Sequence, residues 1–203
     1  MLQRIDIPSS IDQRPLPLEI RAWISDARQR IETFQDCWQK TQIEQFVAAD
    51  YELVYQALSW LQETQMLTGR RFLEWGCGFA VVASLAASLG WDAIGIESES
   101  DLLKQGQRTI EDWNVPVELI HGNFLPHGSE SLAFDPTLPS LGHNVANAYD
   151  QIDSELDDFA MVYAYPWPGE DDFHMDVFGQ HAAVGAMLLL FCGPNDVRAW
   201  RKV

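Results

Sequence analysis

Beyond Gly69 the chain alternates short runs of branched and aromatic residues with helical stretches. The runs fall at residues 71–75, 91–97, 115–121, 159–165 and 186–192. An alanine-rich helical stretch over about residues 80–89 and an amphipathic one over about 100–113 separate the first three. Apolar runs too short to be helices, alternating with helical periodicity, spell βαβ units, and right-handed crossovers then place helices on both faces of a parallel sheet. The expected class is α/β, doubly wound, with a mostly parallel sheet.

The first third has a different grammar. Residues 18–68 contain neither Gly nor Pro, and Ile20, Ile24, Ala27, Ile31, Phe34 and Trp38 step by four and three along one helical face. A second helix is expected from about Asp50 through Leu53, Val54, Ala57, Leu58 and Leu61, with Gly69 placed to terminate it. Residues 1–17 carry three prolines and read as an irregular arm. The organisation expected is an N-terminal arm and helical extension over 1–68 and a cofactor-binding core over 69–203, forming one compact unit. Residues 125–156 hold Pro126, Gly128, Pro136, Pro139 and Gly142 and far exceed an ordinary connection of about 4–6 residues, which implies either a lid or a mobile insertion. After Cys192 a Gly-Pro-Asn-Asp turn leads to Val197, Ala199 and Val203, expected to form one short antiparallel edge strand at which the sheet ends.

Charge narrows the partners. The net charge is −17, and residues 109–197 hold fifteen Asp or Glu and no Lys or Arg. A nucleic acid needs basic side chains to displace its counterions, and an anionic membrane needs the same, so neither partner is expected. The acidic surface instead favours solubility and cationic or neutral ligands. With 47% apolar residues and eight tryptophans in 203, a core is assured and disorder excluded for most of the chain. No apolar run reaches the roughly 20 residues of a membrane span and no signal peptide is evident, so a cytoplasmic protein is expected. Cys37, Cys77 and Cys192 are odd in number and without a CxxC pair, which points to reduced thiols. No metal site is expected: His174 and His181 lie about 10 Å apart along a helix, too far to share one ion.

The chemistry sits at the strand ends. The first core strand runs into Glu74-Trp75-Gly76-Cys77-Gly78-Phe79-Ala80 and then a helix. Glycines at 76 and 78 permit a tight turn and close approach of a ligand to backbone N–H groups at a helix N-terminus. Val81 stands where a dinucleotide fingerprint wants Gly or Ala. Glu74, two residues before the first glycine, repels a pyrophosphate and suits a ligand with an ammonium group. Glu97 ends the second core strand, followed by Ser98, where a carboxylate accepts hydrogen bonds from ribose hydroxyls. His121-Gly122-Asn123-Phe124 ends the third, offering a polar edge and an aromatic face for adenine. A nucleoside that brings an amino-acid tail and no phosphate is S-adenosylmethionine.

Residues 70–192 resemble the class I, Rossmann-like S-adenosylmethionine-dependent methyltransferases, with motifs in the same order and spacing. The resemblance implies that Glu74, Trp75, Gly76 and Gly78 serve the methionine end of the cofactor. It likewise implies that Glu97 and Ser98 serve the ribose, and Asn123 and Phe124 the adenine. Tyr165-Pro166-Trp167-Pro168 matches the motif flanking the transferred methyl. The helical preface is similar to extensions that close over the cofactor, with Tyr51 a candidate contact. Ala80 replaces a frequent third glycine, and Asn123 a commoner Asp. Tyr165-Pro-Trp-Pro departs from the Asn/Asp-Pro-Pro-Tyr of enzymes that methylate nucleobase amines, which argues against a nucleobase acceptor, and the usual hairpin after the fifth strand looks shortened.

An aromatic lip of Tyr165 and Trp167 with carboxylates beyond it attracts cations, so the expected acceptor is neutral or cationic, a small molecule or a protein amine. His174 is the one nearby group whose unperturbed pKa suits proton removal near neutrality, on a helix position expected to face solvent. Two further readings stand beside this one. A binding module with the nucleoside pocket but no turnover would act as a sensor or partner subunit, and a nicotinamide oxidoreductase is disfavoured by Val81 and Glu74.

Overall fold

The computed structural model describes residues 1–36, 46–129 and 145–203. Among these residues seven strands form one sheet: β1 (Leu2–Ile5), β2 (Arg71–Trp75), β3 (Asp92–Glu97), β4 (Val117–His121), β5 (Met161–Ala164), β6 (Met187–Gly193) and β7 (Asp196–Lys202). Their spatial order is β1-β7-β6-β5-β2-β3-β4. The five central strands, β6-β5-β2-β3-β4, are parallel, whereas β7 and β1 are each antiparallel to the neighbour before them. The doubly wound α/β fold read from the alternation is the observed one.

Among the described residues five α-helices accompany the sheet: α1 (Leu18–Asp36), α2 (Tyr51–Thr64), α3 (Val81–Ser88), α4 (Ser100–Trp113) and α5 (Asp171–His181). Helices α1 to α4 pack on one face, joined by Ile24, Leu58, Leu61, Leu85 and Phe72, while α5 and the 148–159 region pack on the other around Leu73, Val162, Leu188 and Phe178. Near-complete burial of both faces is why the central strands read as continuous apolar runs. Helix α1 is strapped to α4 by Trp23 stacking on Trp113 at 5.0 Å and by Asp26 accepting from the Trp113 indole N–H at 2.8 Å.

Several expectations change. Trp38, Cys37, Pro136, Pro139 and Gly142 lie outside the described residues. Helix α2 ends at Thr64 rather than Gly69 because its apolar stripe stops at Leu61, and Gln65, already extended, caps it by donating to the Leu61 carbonyl. The arm over 1–17 is not wholly irregular: Leu2–Ile5 pairs with β7, and Ile11–Gln13 makes a 3-10 turn beneath α2. The sheet therefore does not end at β7, which is a seven-residue strand covered by β1, with the two chain ends paired between Met1 and Val203. In the long connection, Leu125, Ala148, Tyr149 and Leu156 are buried in the second core. Among the described residues no helix is long and apolar enough to cross a membrane.

The path of the chain fixes where a ligand can sit. From β2 it winds through β3 to the β4 edge, then returns to β5 on the other side of β2. The topological switch point lies between β2 and β5, and crevices at such points are where open α/β sheets bind ligands.

Candidate active site

Strand β2 delivers Glu74 and Trp75 to opposite faces and then turns sharply. Gly76 has φ +67° and is exposed, with no atom within 4 Å of where a Cβ would stand. Gly78 has φ +51°, and a Cβ there would come within 2.5 Å of the Phe46 ring, which leads into α2 and covers the turn. Ala80 is also left-handed, at φ 55°, and opens α3. In this short loop with three left-handed residues Gly76 is the exposed position, where a ligand can approach the main chain at a helix N-terminus, while the Cys77 and Ala80 N–H groups donate to the Ile96 and Cys77 carbonyls.

Two buried carboxylates hold this loop. Glu74, 4% exposed, accepts from the Ala83 N–H at 2.7 Å and so anchors α3 to β2. Glu97, 6% exposed, accepts from the Gly78 N–H at 2.7 Å and the Glu99 N–H at 2.9 Å, joining the glycine turn to the end of β3. Burial pushes both carboxyls above their usual range against the pull of these N–H donors, and the Glu97 charge adds to the shift of Glu74. A carboxylate has about four lone-pair positions, so Glu97 retains acceptor capacity for hydroxyl donors. Ser98 lends its carbonyl to the His121 ring Nε2 at 3.0 Å, tying β3 to β4.

Tyr51, the first residue of α2, is buried on the Glu74 face. Burial and the negative charge of Glu74 hold its phenol far above the ordinary range. Sequence reasoning missed Tyr163 of β5, which is the register partner of Glu74 across the switch point. It is 2% exposed, and its hydroxyl has no hydrogen-bond partner among the described residues. An unsatisfied buried hydroxyl costs about 1–3 kcal/mol. The available signal was a tyrosine inside a buried parallel strand, because a buried phenol normally finds a partner.

The other face carries the remaining aromatics. Trp75 stacks on Phe124 at 5.1 Å and donates its indole N–H to the Tyr149 hydroxyl at 3.2 Å. His174 is 4% exposed and does not face solvent: it stacks on Phe124 at 5.5 Å, lies 5.9 Å from Trp75 and meets Phe173 edge-on. Its Nδ1 sits 2.9 Å from the Glu170 carbonyl, and burial lowers its pKa. Asn123 accepts from the Leu125 N–H through Oδ1 at 3.0 Å, and its backbone pairs with the 146–148 strip. Beyond β5, Tyr165 meets Phe191 edge-on at 4.8 Å, and the Trp167 carbonyl accepts from the Glu170 N–H at 2.9 Å. The structure thus separates the expected residues into a Tyr51–Glu74 side and a Trp75–Phe124–His174 side, with the glycine turn between them. Cys77 and Cys192 are free, and burial raises both thiols, Cys192 to about 12. Among the described residues no cluster of metal-ligating side chains occurs.

Comparison with solved structures settles the class of fold. The O-methyltransferase of Bacillus cereus, solved with S-adenosylhomocysteine (SAH), superposes with TM-score 0.53 and 12% identity over 90% of this chain and 69% of its own. An SAH-bound methyltransferase of Podospora anserina gives 0.52 and 12% identity, over 90% and 65%. The chain has the class I, Rossmann-like methyltransferase fold. Among curated proteins, Ribosomal protein L11 methyltransferase of Neisseria meningitidis serogroup C is 29% identical over 85 residues, which is 41% of this chain. The match spans only 27% of that relative's length. No protein-family model matches the chain.

Proposed function

We propose that the chain is an S-adenosylmethionine-dependent methyltransferase acting on a neutral or cationic acceptor, a small molecule or a protein amine. The observation that carries this reading is the glycine turn held between two buried glutamates at the switch point, with Gly76 open to close approach. The residues fit the cofactor: Gly76 and Gly78 offer backbone to its amino-acid portion, Glu97 accepts from its ribose, and Asn123 and Phe124 adjoin its adenine. The curated relative, named for methylating a ribosomal protein, supports a protein among the acceptors.

Bound there, the cofactor supplies a methyl group on a sulfonium, a leaving group already activated. The chain's own work is orientation and exclusion of water. Glu97 fixes the turn, Phe46 covers it, and Tyr165 with Trp167 forms the aromatic lip at which the acceptor lone pair is aligned. His174, neutral and stacked within the second core, positions Trp75 and Phe124 rather than removing a proton. No nucleic acid or membrane is needed by this reading.

Calorimetric titration with SAH, beside transfer of a labelled methyl to a panel of cationic, neutral and phosphorylated acceptors, tests it. Binding and turnover on an amine are expected. Glu97→Ala removes charged hydrogen bonds of about 1.5–3 kcal/mol each, so SAH affinity falls at least tenfold and the midpoint of thermal unfolding drops. Unchanged affinity in that variant, or preferred turnover of a phosphorylated acceptor, overturns the assignment. Binding without any turnover would instead favour a sensor module.

A further inference from the structure

Glu170 stands at the N-cap of α5, just past the aromatic lip, yet its carboxylate makes no capping bond to the first turn of that helix. A carboxylate at a helix start ordinarily serves the free N–H groups there. This one turns back instead: Glu170 Oε2 accepts from the Trp167 N–H at 3.3 Å, and the Glu170 N–H donates to the Trp167 carbonyl at 2.9 Å. Trp167-Pro168-Gly169-Glu170 has the chemistry of a type II turn, with Pro second and Gly169 third at φ +94°. Pro168 also restricts Trp167 to extended backbone. Main-chain chemistry therefore closes the turn by itself, and the carboxylate adds a second tie to the residue whose indole forms the lip. Glu170 is 2% exposed, and a carboxylate buried so far is costly unless it is bonded.

The same residue reaches the second aromatic group. Its carbonyl takes the His174 N–H at 3.1 Å and lies 2.9 Å from the ring Nδ1. A carbonyl only accepts, so Nδ1 carries the proton. His174 in turn stacks on Phe124. Glu170 thus ties the lip to the Trp75–Phe124–His174 side, with its carboxylate on Trp167 and its carbonyl on His174. We propose that Glu170 is a positioning residue for the acceptor, its carboxylate fixing the Trp167 indole at the lip before the acceptor arrives. The assignment rests on the methyltransferase reading and adds to it the residue that aims the lip. A lip fixed in advance loses less freedom as the acceptor lone pair aligns, which raises kcat and leaves cofactor binding alone.

The test separates the lip from the cofactor pocket. Glu170→Met fills similar space without an acceptor oxygen, and Glu170→Gln keeps one. Gly169→Ala strains the same turn from outside the core, because φ +94° disfavours an L residue and its Cβ meets nothing within 4 Å. SAH affinity is read by calorimetry, and kcat and KM on the acceptor of the panel that the parent methylates fastest. The fluorine resonance of Trp167, in protein labelled with fluorotryptophan and assigned with Trp167→Phe, reports the indole directly. Glu170→Met and Gly169→Ala are expected to shift that resonance and lower kcat about tenfold, with KM and SAH affinity held within about twofold. Glu170→Gln should recover most of the kcat and the parent resonance. An unmoved resonance or an unchanged kcat in Glu170→Met overturns the proposal, and if that variant does not fold, the same outcome in Gly169→Ala does so. Loss of SAH affinity in step with kcat overturns it as well, since the residue then supports the fold at large. A parent that methylates none of the panel defeats the methyltransferase reading and the acceptor role with it. The Trp167 resonance then reports the clasp alone, so the two failures are distinguishable.

Discussion

Burial drives the Glu74 carboxyl up and the His174 imidazole down, and the two shifts bend the pH dependence of stability in opposite directions. A carboxyl whose folded pKa lies above its unfolded value binds more protons when folded, so the stability it lends is lost as pH rises through that window. A histidine held neutral binds fewer protons when folded, so stability is lost as pH falls below the ordinary histidine range near 6.5. Glu74→Gln keeps an acceptor oxygen for the Ala83 N–H and removes the Glu74 share of the loss on raising pH, leaving that of Glu97. His174→Phe keeps the ring stack and removes the acid loss, and the Glu170 carbonyl still accepts from the residue 174 backbone N–H. Thermal unfolding from about pH 5 to about pH 8 should show each variant flattening one limb only. At this chain length about 1 kcal/mol moves the midpoint by about 2–4 °C, enough to read. A limb left unchanged by its variant would show that the group does not titrate between the folded and unfolded states.

At the scale of elements, Cys77 on the inner side of the glycine turn is wedged against β3 and β4, while Gly76 stays open. A Cβ on Gly95 of β3 would meet Cys77 Sγ and a Leu119 methyl at 2.9 Å. Overpacking of a dense core costs about 1–3 kcal/mol, so Gly95→Ala should lower the unfolding free energy read from a denaturant titration by that amount and weaken SAH binding as the turn shifts. Retained stability would mean that Cys77 moves aside freely. The sequence made this turn legible because glycine spacing and a strand-end acid are local signals, and the five parallel strands were legible because burial on two faces writes continuous apolar runs. Strand β1 was not: its four residues, Leu2, Gln3, Arg4 and Ile5, carry no alternation, and they become a strand only by pairing with the far end of the chain. His174 was misplaced for a related reason. Helix α5 has little amphipathic contrast, and the rings that bury His174 come from β2 and from the loop after β4. Tyr163 looked like one more apolar strand residue, since register against Glu74 is a property of the sheet and not of either segment alone.

For the molecule as a whole, charge is the property that acts beyond contact distance. Residues 109–197 carry fifteen acidic side chains and no Lys or Arg, and they include both the Tyr165–Trp167 lip and helix α5. A field of one sign raises the local concentration of oppositely charged ligands and speeds their encounter, and salt screens it with a Debye length of about 8–10 Å at physiological strength. A cationic peptide acceptor should therefore show kcat/KM falling severalfold between about 0.01 M and about 0.3 M salt, with kcat nearly constant because the aligned complex is already formed. A neutral acceptor of the same length should show a flat profile. Comparing the two at saturating cofactor isolates steering from any general effect of salt on the fold, which would move both substrates together. If the neutral acceptor falls as steeply as the cationic one, the acidic half serves solubility alone and does not select the acceptor.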